Sequence, residues 1–246
     1  MCRRQCHTLV IEFIAKVSID ECPPEESRLI TTIPILFEDD DLLAAEKPAD
    51  LLTTPGRGPD KQDCLIARIL QSYPNARVIH RLDMATSGIV MLALNHKAQV
   101  AMGKLFERRQ IKKDYIAIVD GQLSEQEGDI VLPLICDWPN RPKQKVCFDS
   151  GRAAHTQFTS LDYNAALDCS RVRLQPHTGR SHQLRVHMLA IGHPILGDYF
   201  YGSDKTRAKS KRLLLHAHRL DFVHPFTHAR VNIISTVPFY SDSALS

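Results

Sequence analysis

The chain of 246 residues lacks most of the patterns that assign a protein at a glance. No apolar stretch approaches the roughly 18 residues of a transmembrane helix, so no membrane association is expected. There is no C-x-x-C pair. The seven cysteines, odd in number and scattered in spacing, read as reduced thiols of a cytoplasmic protein and not as a disulfide framework. Cys2, Cys6, His7 and Cys22 can be drawn as a zinc site, but their spacing gives no support for one. A Walker-type phosphate loop is missing. Gly56-Arg57-Gly58 lacks the third glycine and the strand–helix setting of a dinucleotide fingerprint. The absence of G-x-S-x-G removes the nucleophile elbow of a serine hydrolase. The net charge of +3 is too small, taken alone, to indicate nucleic acid.

Hydrophobic residues make up 43% of the chain, enough for a sizeable core, and the 24% charged share excludes broad disorder. The basic residues are clustered at 104–113, 141–145 and 205–212, and the last run holds five cations and no acid. One such run is usually a solvated face; three favour a phosphate-rich partner. The opening MCRRQCHTLVIEFIAKV superficially suggests a signal peptide. Glu12 and Lys16 interrupt it, and no clear cleavage site follows. With the acidic, proline-containing cluster Asp20 to Glu26, residues 1–30 read as an irregular extension, followed by one domain over 31–240 and a tail over 241–246.

Within that domain, Ile33–Glu38 and Leu42–Glu46 read as strands around an Asp-rich turn, and Pro48–Pro59 as a loop. Cys64–Ser72 reads as a short helix. Gly88–Leu94 is a continuous apolar run, as in a strand buried on both faces. Asn95 is placed to cap a helix whose inner face carries Ala98, Met102, Leu105 and Phe106. Further strands are expected at Tyr115–Val119, His155–Leu161, Ser170–Leu174, Leu213–Phe222 and Ala229–Ile234, with a polar excursion over Leu132–Val146. Ser181–Ile191 reads as a helix ending at Gly192. Many strands, few helices and no regular β–α alternation imply an α+β fold with a mixed sheet.

Three segments can carry chemistry. His80-Arg81-Leu82-Asp83 with Thr86-Ser87-Gly88 leads straight into the apolar strand, which sets an acid at a sheet edge. Lys112-Lys113-Asp114-Tyr115 puts two cations beside an aromatic ring at a strand mouth, suited to phosphates and a stacked base. His177-Thr178-Gly179-Arg180-Ser181-His182-Gln183-Leu184-Arg185-Val186-His187 offers a tight backbone and an arginine at a helix opening. Its histidines invite a metal, but His182 and His187 are five apart, not four, so His187 reads as a packed, hydrogen-bonded residue and no metal is expected. Taken singly, each segment has a bland alternative: a loop ion pair, a solvated strand end, a core histidine.

Taken together and in this order, the three segments resemble the motifs of the RluA-type family of pseudouridine synthases, as does the following Gly192-His193-Pro194-Ile195-Leu196-Gly197-Asp198. The resemblance spans about Ile33 to Pro238. It implies one catalytic domain with a mixed, largely antiparallel central sheet flanked by helices and loops. Residues 136–147, CDWPNRPKQKVC, resemble the branch of the family that modifies both 23S ribosomal RNA and the anticodon stem-loop of tRNA. Some relatives carry an N-terminal S4-type RNA-binding domain, for which residues 1–30 are too few.

The resemblance implies a uridine-to-pseudouridine isomerisation in RNA that needs no cofactor, because product and substrate are isomers. Asp83 is implied as the carboxylate that attacks ribose C1′ or removes the 2′ proton. Tyr115 is implied to stack on uracil and to help take the C5 proton, and Arg180 to keep Asp83 ionised. Arg81 is implied to fill the gap left by the extruded base or to meet a phosphate. His80, Lys113, Leu184, Arg141, Lys143 and Lys145 are expected among the substrate contacts, and a monomer is expected. Two other classes remain open: a silent RNA-binding protein on this fold, and a hydrolase pairing Asp83 with His80.

Overall fold

A computed structural model describes residues 32–239. The expected extension over 1–30 and tail over 241–246 lie outside the described residues. The first strands, β1 (Ile35–Glu38) and β2 (Leu42–Lys47), pair antiparallel. The acidic turn between them is built by Asp39, whose Oδ1 accepts the N–H groups of Asp41 and Leu42 at 2.9 and 2.8 Å. A short helix α1 (Leu65–Ile69) and a two-residue strand β3 (Arg77–Val78) precede β4 (Ser87–Ala93).

All seven residues of β4 are buried, as its unbroken apolar run requires. Alternation sends Ile89, Met91 and Ala93 against Ala98 and Met102 of α2 (His96–Glu107). Val90 and Leu92 face the other way, onto Leu65 and Ile69 of α1. Each such side chain gains about 1.5–3 kcal/mol on burial, and Met91→Ala would cost about 2–5 kcal/mol because the gap is walled by both sheet and helix. Asn95 caps α2 as expected, its Oδ1 accepting the Ala98 N–H at 2.8 Å.

The chain continues through β5 (Lys112–Asp120), β6 (Glu127–Val131), β7 (Leu134–Cys136), β8 (Gln144–Val146), β9 (His155–Asn164) and β10 (Cys169–Pro176). It then forms α3 (Gln183–Ala190), α4 (Asp204–Ala208), β11 (Leu215–Val223) and β12 (Arg230–Ile234). Ten strands make one sheet in the order β1-β2-β4-β11-β5-β10-β9-β6, with β12 on β11 and β3 on β4. Only β4 and β11 run parallel, so the expected mixed, largely antiparallel α+β architecture holds. Leu184 and Met188 of α3 pack on Ala117 and Val119 of β5 and on Val172 and Leu174 of β10.

The parallel joint between β4 and β11 needs Gly88. Its φ is +111°, and a Cβ there would lie 2.3 Å from the Ala217 carbonyl oxygen. Ala217 is opposite both Gly88 and Tyr115, so two small residues flank the tyrosine across the sheet.

Three details depart from the sequence reading. Residues 132–146 are not an irregular excursion but a hairpin, β7 with β8, forming its own two-stranded sheet. β6 is an additional edge strand in which only Ile130 is fully buried, so alternation is nearly invisible in its sequence. The basic run at 205–212 begins as α4, capped by Ser203 Oγ, which accepts the Thr206 N–H.

Candidate active site

The segment from His80 to Thr86 carries Asp83 into β4, and it is fastened along its length. His80 Nε2 accepts the Met91 N–H at 3.0 Å, and its ring lies against Phe106 with centroids 4.7 Å apart. Thr53 Oγ1 donates to the Leu82 carbonyl at 3.0 Å and accepts the Leu82 N–H at 3.2 Å. The Thr86 N–H bonds back to the Asp83 carbonyl at 3.1 Å. Below, fully buried Lys47 donates to the carbonyls of Pro48, Leu51 and Met84 at 2.7, 2.7 and 2.9 Å. Burial lowers its pKa to about 7, against the pull of Asp50 and Asp83.

The Asp83 carboxylate, 29% exposed, opens into a cleft. Its Oδ2 lies 3.4 Å from Arg185 Nη1 and 3.8 Å from His182 Nε2. Arg185 is itself 3% exposed. It donates from Nε and Nη2 to the two carboxylate oxygens of buried Asp198, both at 2.7 Å. Asp198 also accepts the N–H groups of Phe200 and Tyr201. One buried carboxylate thus locks the guanidinium so that its remaining nitrogen meets Asp83. Arg180 is placed differently: its Nε donates to the Ala153 carbonyl at 3.1 Å. It lines the cleft, but the cation on Asp83 is Arg185. The sequence reading chose the arginine at the helix opening; α3 begins at Gln183, and its first turn aims Arg185 inward.

His182 starts α3 in a left-handed conformation, φ +53°. Tyr201 Oη accepts the Gln144 N–H at 2.7 Å and lies 2.7 Å from His182 Nδ1. The Tyr201 hydroxyl thus ties His182 to the β8 backbone, with the other ring nitrogen, Nε2, facing Asp83. Burial lowers the His182 pKa, which favours the neutral form, although Asp83 pulls the other way. In the sequence His182 is weighed only as a metal ligand and Tyr201 is not singled out; their link to each other is visible in the contact alone.

Tyr115 projects from β5 into the same space. Burial raises its pKa well above the ordinary tyrosine value, and the Asp83 charge adds to the effect. The phenol is therefore protonated at rest. Asp83, Tyr115, Arg185, Pro176, Leu184 and Leu215 surround a recess of about 120 Å³ at the floor of the cleft. That is several times the 10–15 Å³ or so that one water needs, and Leu82, Pro176, Leu184 and Leu215 supply its apolar wall. Leu184 is a core residue, 6% exposed, that presents its remaining surface here.

The cleft above measures about 1420 Å³, beyond the roughly 300–1,000 Å³ of small-molecule pockets. Seven lysines and arginines line it, among them Arg81, Lys113 and Arg180, against only Asp83 and Glu107. Such a surface suits a polyanion. Arg81 is exposed there. Lys113 is partly buried, and burial together with Arg109 lowers its pKa. His80 corrects another expectation: its Nε2 is already an acceptor for the backbone, and burial lowers its pKa to about 3. It pins the loop and does not pair with Asp83, which removes the basis of the Asp83–His80 hydrolase. Arg141, Lys143 and Lys145 sit on the β7–β8 hairpin, whose Pro142 lines the cleft. Lys145 pairs there with Asp137 at 3.6 Å.

His187 is packed as expected, with Nδ1 on Thr156 Oγ1 and Nε2 on the Leu132 carbonyl. Cys2, Cys6, His7 and Cys22 lie outside the described residues. Among those described, Asp129, His155 and His177 bring three ligand-type atoms within 4.8 Å of one another. His155 Nε2 and Asp129 Oδ1 are hydrogen-bonded at 2.5 Å, and the His177 ring is stacked on His155 with centroids 4.3 Å apart.

The family model of RNA pseudouridylate synthases matches residues 41–190. A protein of Escherichia coli K12 called "Dual-specificity RNA pseudouridine synthase RluA" is 51% identical over 203 residues, covering 82% of this chain and 90% of that one. Its counterpart of the same name in Vibrio parahaemolyticus is 48% identical, covering 85% of each. The solved structure of human RNA Pseudouridylate Synthase Domain Containing 1 superimposes with a TM-score of 0.73 at 27% identity over 85% of both chains. The chain belongs to the family of RNA pseudouridylate synthases and is an isomerase that converts uridine in RNA to pseudouridine.

Proposed function

We propose that the enzyme modifies uridines in two RNAs, 23S ribosomal RNA and the tRNA anticodon stem-loop, and that Asp83 starts the reaction. The observation that carries the chemical part is the recess walled by Asp83, Tyr115, Arg185 and Leu184 beneath a cationic cleft. A uridine leaves its stack at a cost of a few kcal/mol and enters the recess. The Asp83 carboxylate then attacks C1′ or takes the 2′ proton, and the bond to N1 breaks. Arg185, fixed by Asp198, keeps the carboxylate aimed. The freed base turns against the Tyr115 ring and rejoins through C5. Because Tyr115 is protonated at rest, it serves as a relay: it passes its own proton to the Asp83 carboxylate, freed once C5 is joined to C1′, as it takes the one from C5, and N1 gains a proton from solvent, so the isomerisation is proton-neutral. Arg81 occupies the place the base has left.

Two RNAs in one site are best accommodated by a shared local shape, a loop whose uridine splays out. The relatives named for dual specificity support this reading. The enzyme is read as a monomer acting in the cytoplasm without cofactor or metal, since substrate and product are isomers. Asp83→Asn tests the assignment, since the amide keeps the shape and loses the charge. Isomerisation should fall by about 10³-fold or more, while RNA affinity stays within about tenfold. Substantial turnover in the purified variant would move the reaction's first step to another group. An isolated anticodon stem-loop should also be a substrate; if it stays inert at saturating enzyme, the dual reading fails.

A further inference from the structure

The β7–β8 hairpin holds a feature that the recess chemistry does not use. Trp138, the chain's single tryptophan, is 63% exposed. The Arg141 guanidinium lies over it, its central carbon 3.7 Å from the ring centroid. One indole face is thus covered by a cation and the other is open. The turn that carries the ring is tightly held. Asp137 N–H bonds to the Lys143 carbonyl, Asn140 N–H to the Asp137 carbonyl, and Lys143 N–H to the Asn140 carbonyl, at 2.9, 2.9 and 3.0 Å. The Asn140 side chain adds a bond to Asp137 at 2.8 Å. Through the Gln144 N–H on Tyr201, and with Pro142 in the cleft wall, this turn is anchored to the rim of the cleft that contains Asp83.

The geometry points to Trp138 as a stacking platform for an unpaired base of the substrate RNA, outside the recess that takes the target uridine. The solvent-facing side of the indole gains nothing for folding, whereas a base stacked on that free face removes apolar area from water. Arg141 pre-orients the ring and polarises it, and Lys143 and Lys145 supply charge for the adjoining phosphates. The occupant is an unpaired nucleobase because the surroundings are cationic and only one flat face is offered. The inference builds on RNA being the substrate, and it holds whichever group begins the chemistry.

The single tryptophan provides a direct readout. In the Asp83→Asn enzyme, which holds RNA without turnover, intrinsic fluorescence is followed while unmodified tRNA or a 23S ribosomal RNA transcript is added, whichever binds the more tightly in a filter assay. Saturable quenching that tracks occupancy is expected. Trp138→Ala should weaken binding of the same RNA by about 5- to 150-fold, the range of one lost base stack. Trp138→Phe should keep most of the affinity, and both variants should retain the wild-type turnover at saturating RNA. Fluorescence that ignores bound RNA, or a Trp138→Ala affinity equal to wild type, would overturn the platform. Circular dichroism of the alanine variant separates lost folding from lost stacking, and the quenching result stands even if that variant does not fold.

Discussion

Arg185 Nη1 lies 3.4 Å from Asp83 Oδ2 because Asp198 holds the other edge of the guanidinium at 2.7 Å through both of its oxygens. The residues are 102 positions apart in the chain, and the contact forms only when α3 packs on the central sheet. Asp198 makes Arg185 a fixed charge, so it can orient Asp83 without leaving it.

This arrangement separates two neighbouring arginines. Arg185→Lys keeps a charge but cannot bridge Asp198 and Asp83 together. It should lower the single-turnover rate by about 100-fold or more, as removal of a fixed charge-stabilising donor does elsewhere. Arg180→Ala should leave that rate within about threefold and mainly weaken RNA binding, since a phosphate contact positions without entering the chemistry. Equal losses of rate in the two variants would contradict the placement of Arg185 as the partner of Asp83.

Tyr115→Phe keeps the ring and loses only the hydroxyl. Stacking contributes about 1–3 kcal/mol per base, so RNA affinity should change little. Turnover should drop by about 10²-fold or more, within the range of general acid–base contributions. Single-turnover rates on a tritium-labelled uridine transcript would show it. Wild-type turnover would leave stacking as the ring's sole contribution.

Acid should destabilise the fold through two buried histidines. His80 and His216 are held neutral by burial, with pKa values lowered to about 3. His216 is bonded on both sides, to Ser87 Oγ and Ser235 Oγ at 2.8 Å each. Unfolded, these rings would take up protons near the ordinary histidine value of about 6.5. The unfolded state therefore binds more protons, and stability falls as pH drops from about 6.5 toward 3. Urea midpoints measured at pH 7.5 and 5 should show this fall. His216→Asn should flatten the dependence whatever its effect at neutral pH; an unchanged slope would mean that His216 takes up its proton in the folded state too.

The hairpin cations should govern salt sensitivity. Arg141, Lys143 and Lys145 flank the cleft wall, and each phosphate neutralised on a single strand contributes about −0.7 to the slope of log K against log salt. Replacing all three with alanine should reduce that slope by about 2 if each meets one phosphate, with little change in the rate of bound RNA. Lys145, already paired with Asp137, should account for the smallest share when changed singly. An unaltered slope would take the hairpin out of the phosphate contacts.

Much of this protein was legible one residue at a time. The apolar run of β4, the Asn95 cap and the inner face of α2 are local patterns, set by alternation and helical period, and the structure places each where the pattern implies; the Asp83 and Tyr115 segments, ambiguous one at a time, stood out through their resemblance to a family, and both line the recess. What the sequence could not decide was which distant groups meet. Arg180 and Arg185 are alike in one dimension; only the inward aim of the first α3 turn and the buried Asp198 select Arg185. His80, beside the carboxylate in sequence, is drawn away to the Met91 backbone in space. The Gln144–Tyr201–His182 contacts and the recess floor join residues from six parts of the chain. Local propensity acts over a few residues, whereas a site is closed by long-range packing, so the elements could be read from the sequence and their meeting points required the fold.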